Sequence, residues 1–379
     1  MAAKRNGKKK AGNIIPLILF VLIGAACGVI VALCMERSGG DLPLYDFLLV
    51  LIGIVLEMYA AIFLQLIIHE AGHLVFGLLT GYRFSSFRIG SLMFMKRDGK
   101  LHTARLSVAG TGGQCLMLPP ETEPDRVPVV LYNLGGAIMN LFSAALFAGL
   151  YFLCTGVQLL WMFCLIMCVV GVGIAFMNGV PLHLGTVNND GSNALETAKS
   201  PEAKRAFVIQ MRVAGQSASG VRLKDMPEEW FALPKDWDKN SSLTAALAVF
   251  RANRLMDMHR FDEAAEAADE LLCGENGVVG LYRGLLRCDR VYCALISEGR
   301  NADVSRLFGR EQKALMKQMR NFPSVIRTEY AYALLYEKDA EKAEKKKSAF
   351  EAAAKRYPYE SDIESERELM QTAEEAAAR

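Results

Sequence analysis

The sequence has few histidines, no Cys-x-x-Cys pair and little net charge. The 379 residues contain 5 histidines and 9 cysteines, and the formal net charge is only +2. No two cysteines are separated by two residues, so the sequence indicates neither a thiolate zinc site nor a disulfide framework. The small net charge gives no sign of a nucleic-acid partner, and we predict none.

Apolar residues are abundant, at 52% of the chain, and the excess lies before residue 190. A membrane-crossing helix needs about 20 apolar residues. Four runs are long enough, at 14–35, 44–82, 129–154 and 157–180. A basic tail at 1–12 precedes the first run, which is longer than the apolar region of a signal peptide. We therefore expect a transmembrane anchor whose amino end lies in the cytoplasm.

A β-hairpin is predicted between the second and third apolar runs. The long apolar run has ended by residue 83. Between 83 and 108, Asp98-Gly99 separates two segments in which apolar and polar residues alternate. Such a dipeptide is a strong signal for a two-residue turn. The segment is rich in arginine and lysine, which favours the cytoplasmic side of a membrane. Four spans that start inside also return the carboxyl-terminal half to the cytoplasm.

The second apolar run contains the motif His69-Glu70-Ala71-Gly72-His73. Histidines four residues apart lie on one face of a helix, so both imidazoles can reach a single Zn²⁺. The glutamate beside the first histidine is then placed to act as a general base. Ionisable groups are costly in hydrocarbon, so their presence in this run indicates a functional site. A structural histidine pair is the alternative interpretation.

A third metal ligand must come from another part of the chain, because a catalytic zinc needs three protein ligands. Asp190 is the best candidate, since it follows the last apolar run and lies in a glycine-assisted turn. His183 is the alternative. Asn140, within the third run, either joins two helices through its amide or belongs to the site. Pro181 ends the preceding helix.

Together these residues resemble the site-2 protease family of intramembrane zinc metalloproteases, over about residues 46–195. The resemblance implies that Zn²⁺ is held by His69, His73 and Asp190. It also implies that Glu70 activates the attacking water.

The resemblance extends to three further residues near the predicted site. It implies that Asn140 matches a family asparagine near the metal, and that Asn178 and Pro181 lead into the aspartate motif. The chain departs from the family pattern in two places. Gly135-Gly136 stands where the family usually has Gly-Pro, and Asn178 is farther from the aspartate than usual.

Beyond residue 195 the composition becomes charged and soluble. The segment 196–241 is predicted to be a linker, and 242–379 a helical domain that resembles tetratricopeptide repeats. Helix pairs of that kind stack to bury their apolar faces, and their concave surface commonly binds peptides. A cytosolic protein partner for these helices is therefore a hypothesis.

The sequence thus predicts a mostly α protein. A polytopic membrane bundle of about four transmembrane helices carries a β-hairpin insertion and is followed by a soluble, all-α, repeat-like domain. The predicted divisions are a cytoplasmic tail at 1–12, a metalloprotease domain at 13–195, the linker at 196–241 and the helical domain at 242–379. The protein is expected to be multi-pass in a bacterial plasma membrane, with both termini cytoplasmic.

Three functions are compatible with this organisation. The preferred one is an intramembrane zinc metalloprotease, whose partners are the lipid bilayer and a transmembrane protein or peptide substrate. The first alternative is a catalytically inactive receptor or scaffold that recruits cytosolic partners through its helical array. A transporter that uses the His-Glu-His group as an ion relay is the second, but the sequence shows no inverted repeat.

Overall fold

A computed structural model describes residues 43–97, 99–108, 110–154, 156–182 and 188–379, together with Ala25, Gly28, Val29, Ala32 and Glu36. The basic tail at 1–12, Asp98 and His183 lie outside the described residues, as does most of the predicted anchor at 14–35. The described chain divides into two compact units.

The first unit contains the described residues up to Thr80 together with Val130–Leu195. Its helices are α1 (Leu44–Leu79), α2 (Val129–Leu153), α3 (Gln158–Gly179) and the start of α4 (Asp190–Lys199). Within the described residues, three helices (α1, α2 with the turn before it, and α3) are long and apolar enough to cross a membrane. These correspond to the second, third and fourth predicted spans.

The three long helices expose most of their apolar side chains. In the most hydrophobic window of α1, for example, only 11% of the residues are buried within the protein. A helix that is apolar on all sides but little buried by protein matches a lipid environment. One buried apolar cluster of this unit joins α1 to α3, with Ile54 and Ala61 packed among Trp161 and Met167.

Glycines allow α1 and α2 to approach closely. A Cβ atom added to Gly72 would lie 2.8 Å from the Cα of Gly136, and one added to Gly135 would lie 2.9 Å from the Gly72 carbonyl oxygen. Small residues at such crossings let helix backbones touch in the absence of a hydrophobic driving force. The helix that carries the histidine motif, α1, therefore lies at short range from α2.

The second unit contains Gly81–Val129 and Glu196–Arg379. Its four-stranded antiparallel sheet has the order β3-β2-β1-β4. The strands are β1 (Arg83–Ile89), β2 (Leu92–Arg97), β3 (Lys100–Arg105) and β4 (Gly113–Leu118). The predicted hairpin is the β2–β3 pair, in which Arg97 lies opposite Lys100, and Gly99 between them has a φ of +76°. A glycine tolerates this left-handed conformation without strain.

The remaining elements of the second unit are helices. They are α5 (Pro201–Ala218), α6 (Ser242–Asp257), α7 (Phe261–Leu272), α8 (Gly280–Glu298), α9 (Arg310–Gln318), α10 (Pro323–Ala331), α11 (Ala340–Ala354) and α12 (Glu360–Ala377), with short 3₁₀ segments and a π-helical turn (Tyr332–Glu337) between some of them. One face of the sheet packs its Met93 and Met95 against Ala218. Helix α5 lies within the predicted linker. The predicted domain boundaries and the tetratricopeptide-like repeat stay predictions.

Candidate metal centre

His69 and His73 lie one helical turn apart on α1, and both are buried. Their exposed fractions are 4% and 6%. The Nε2 atoms of the two rings are 3.3 Å apart. One helix face therefore presents two imidazole nitrogens to the same point, as the four-residue spacing predicts.

Asp190 completes a group of three possible ligands. Its Oδ2 atom is 3.0 Å from Nε2 of His69 and 3.3 Å from Nε2 of His73. One ligand atom from each of the three residues lies within 4.8 Å of the others. The structure thus brings the predicted third ligand to the histidine pair, whereas the alternative ligand, His183, lies outside the described residues.

Hydrogen bonds at the far side of each ring set the histidine tautomers. Nδ1 of His69 is 2.7 Å from Oδ1 of Asn140, and Nδ1 of His73 is 2.9 Å from the carbonyl oxygen of Tyr132. Both partners are oxygens that can only accept, so each Nδ1 carries the proton and donates it. The lone pair of each neutral ring then lies on Nε2 and points toward Asp190.

This donor set fits a metal ion. Two imidazole lone pairs and a carboxylate oxygen in mutual contact repel one another unless a proton or a cation lies between them. Two nitrogens and one carboxylate oxygen are a typical ligand set for a catalytic metal with an open coordination position.

Glu70 is also buried, with an exposed fraction of 6%, and follows the first ligand directly on α1. In a motif with this spacing, the carboxylate beside the first histidine can act as a general base.

A glycine makes room for the first ligand. A Cβ atom on Gly136 would lie 2.7 Å from both ring nitrogens of His69. Any side chain there would displace the imidazole, which gives the Gly135-Gly136 departure from the family pattern a steric reason in this chain.

The start of α4, where Asp190 lies, is held by the neighbouring Asn189, a residue that the sequence analysis did not select. Its Nδ2 atom donates to the carbonyl oxygens of Met177 and Val180, both at 2.6 Å. Its Oδ1 atom accepts from the backbone N–H of Leu182 at 3.2 Å and of Ser192 at 3.0 Å. One amide thus joins the end of α3 to the start of α4 and holds the aspartate at the first position of α4.

The predicted supporting residues differ in where they lie. Asn140 is fully buried and contacts His69 directly. Asn178 donates to the carbonyl oxygen of Ile174 in its own helix at 3.1 Å. Pro181 is exposed just beyond the end of α3.

The sequence analysis also missed Gln65, which lies one turn before His69 on α1 and is completely buried. The sequence did point to this residue. A glutamine in an apolar run, four residues before His69, is costly in lipid unless its amide has hydrogen-bond partners.

Comparison with known families gives one match for this chain. Residues 57–355 match the family model described as Peptidase family M50. The match covers well over half of the chain and includes His69, His73 and Asp190. Neither the curated proteins nor the solved structures contain a significant match.

Proposed function

The chain belongs to peptidase family M50, a family of intramembrane metalloproteases, and from that premise we propose that it cleaves peptide bonds in or near transmembrane segments. In this proposal His69, His73 and Asp190 hold one Zn²⁺ ion. The observation that carries it is the contact of Asp190 with both Nε2 atoms. The aspartate is remote in sequence from the histidines, and no packing requirement explains three such groups meeting in an apolar bundle.

In the proposed reaction, each residue of the site has a separate role. Zn²⁺, when bound, supplies Lewis acidity for water activation and carbonyl polarisation. Glu70 accepts the proton of the attacking water and later delivers it to the nitrogen of the leaving amine. Asn140 and the Tyr132 carbonyl hold the two imidazoles in one tautomer throughout. Burial of these groups among apolar helices limits access of bulk water and strengthens their electrostatic interactions.

A transmembrane substrate must be unwound before it can react, because a helix hides its carbonyl groups in its own hydrogen bonds. Strand β3 is an edge of the sheet and is mostly exposed. We propose that an extended stretch of substrate pairs with this edge, as peptides do in β-augmentation. The substrate is then a membrane-bound protein or a peptide derived from one. Cytoplasmic placement of both termini, a bacterial plasma membrane and a cytosolic partner for the C-terminal helices are further proposals.

The test compares wild type with Glu70→Gln and Asp190→Ala, each purified as the full chain. We expect wild type to bind close to one zinc ion and to cleave a generic transmembrane substrate in liposomes. Glu70→Gln should retain the metal and lose cleavage, since it removes only the general base. Asp190→Ala should lose both. Wild type that binds no metal, or a Glu70→Gln variant that cleaves as wild type does, would refute the proposal. Cleavage by neither wild type nor variant would favour the scaffold alternative.

A further inference from the structure

Gln65 makes four hydrogen bonds that link the three long helices of the first unit. Its Nε2 atom donates to the carbonyl oxygen of Met167 on α3 at 2.9 Å and to Oγ of Ser143 on α2 at 3.0 Å. Its side-chain Oε1 and its backbone carbonyl oxygen accept from Nδ2 of Asn140 at 2.8 and 2.9 Å. The amide is therefore fully used, in a place where an unpaired polar group would be costly.

The donor and acceptor roles in this network are all fixed by one group, the carbonyl oxygen of Met167. The carbonyl oxygen of Met167 can only accept, so the NH₂ group of Gln65 must face it. The side-chain oxygen of Gln65 must then face Asn140, which accordingly presents its own NH₂ group to two acceptors. If the Asn140 amide turned over, its oxygen would lie against the two oxygens of Gln65.

The same constraint reaches the first metal ligand. With its NH₂ group held by Gln65, Asn140 can offer only Oδ1 to Nδ1 of His69. That ring nitrogen must carry the proton, and the lone pair must lie on Nε2, which faces Asp190. Partners behind a metal-binding histidine raise its basicity and fix its orientation in this way.

We propose that Gln65 is a positioning residue for the metal centre, which acts through Asn140 to keep His69 in its metal-binding tautomer. This inference rests on the proposed metalloprotease function, since it assigns a role toward the same ion. The side-chain amide of Gln65 makes its hydrogen bonds to Met167, Ser143 and Asn140, so its effect on His69 is transmitted through Asn140.

Gly171 offers a second way to test the network without changing the chemistry of Gln65. A Cβ atom on Gly171 would lie 2.7 Å from Nε2 of Gln65 and 3.2 Å from the Cβ of Ala144. Alanine at this position should push the Gln65 amide away from its acceptors. Two unrelated substitutions on different helices should then give the same defect at His69.

The experiment uses the full chain in detergent and the variants Gln65→Met and Gly171→Ala. Gln158→Leu serves as the matched control, because this glutamine is exposed at the start of α3. Zinc affinity is measured by competition with a chromogenic chelator. We expect a loss of about 10- to 100-fold in both test variants, the range found for partners behind metal ligands. The control should bind as wild type does.

Nitrogen NMR of histidine-labelled, metal-free protein supplies a readout that loss of stability alone would not move. Wild type should show the proton of His69 on Nδ1, and Gln65→Met should show a mixture of tautomers. Retained zinc affinity and an unchanged tautomer in both folded variants would overturn the role of Gln65. Wild type that binds zinc but does not cleave would refute the proposed function and leave the role of Gln65 intact. Wild type that binds no zinc would overturn both.

Discussion

Nδ1 of His73 lies 2.9 Å from the carbonyl oxygen of Tyr132, so the main chain of α2 holds the ring of His73. The ring of His69 is held instead by a side chain, that of Asn140. A backbone carbonyl cannot turn over, whereas the Asn140 amide that faces His69 can. The tautomer of His73 is consequently fixed by the fold alone, and that of His69 depends on additional hydrogen bonds. We therefore expect the His69 side of the centre to be more sensitive to single substitutions than the His73 side.

Asn189→Ala should weaken metal binding although residue 189 is not itself a ligand. The substitution removes the four hydrogen bonds that join the end of α3 to the start of α4, so Asp190 is no longer held against the histidines. We expect zinc affinity to fall by about 10- to 100-fold. Chelator competition measures this, with the exposed Asn240→Ala as the control. Wild-type affinity in a folded Asn189→Ala protein would contradict the prediction.

Gly136→Ala should displace the His69 ring and abolish tight metal binding. The added Cβ would lie 2.7 Å from both ring nitrogens, closer than side-chain atoms can approach without a shift. Gly149→Ala is a matched control on the same helix, because nothing lies within 4 Å of the Cβ it adds. Zinc content after purification and thermal unfolding should be measured together. Full zinc occupancy in Gly136→Ala would show that the ring has room to move.

Local sequence patterns were sufficient to predict that His69 and His73 lie together on one helix face. The four-residue spacing of His69 and His73 is a property of one helix, and the Asp98-Gly99 turn is a property of one dipeptide, so both could be read without tertiary structure. The assignment of Asp190 depended on its place after an apolar run. The structure brings it to within 3.3 Å of both histidines.

Sequence could not predict the contacts that depend on how helices pack. The roles of Gln65 and Asn189 arise only when residues from α2 and α3 come close, and the carbonyl oxygen of Tyr132 has no side-chain signature at all. Asn178 was selected by resemblance, but its side chain donates a hydrogen bond to the carbonyl oxygen of Ile174 in its own helix. The pairing of β4 with β1 was also missed, because the two strands are separated by the hairpin.

Asp362→Asn should stabilise the second unit above neutral pH. Burial, and secondarily the charges of Glu366 and Asp257, raise the pKa of Asp362 to about 7, against a partial offset from the hydrogen bond of Tyr357. An acid with a raised folded-state pKa binds more protons folded than unfolded, so its stability contribution is lost as pH rises from about 4 to 7. The asparagine avoids this loss, which is at most about 4 kcal/mol for such a shift.

Thermal unfolding of the full chain at pH 5 and pH 8 checks this expectation. The variant should unfold at a higher temperature than wild type at pH 8, and the difference should shrink at pH 5. Asp236→Asn, at an exposed position, is the control for the change of charge. A difference of equal size at both pH values would mean that Asp362 does not titrate in this range.

Thr103→Pro should reduce cleavage of a membrane substrate without affecting the metal. The backbone N–H of Arg105 donates to the carbonyl oxygen of Arg356, outside the sheet, at 3.1 Å. Successive N–H groups of a strand alternate in direction, so that of Thr103 also points away from β2. Proline there removes a donor from the free edge of β3 but leaves the β2–β3 hydrogen bonds in place, a position that sheets tolerate. If substrate pairs with this edge, cleavage should fall several-fold.

Thr103→Ala is the matched control, because it removes the same side chain and keeps the N–H donor. A short soluble peptide that needs no unwinding should be cleaved equally by both variants, which separates docking from chemistry. Zinc content should equal that of wild type, since β3 belongs to the second unit and the ligands to the first. Unchanged cleavage of the membrane substrate by a folded, zinc-loaded Thr103→Pro protein would refute strand pairing at β3. It would also direct the search for the docking site to the opposite edge, β4.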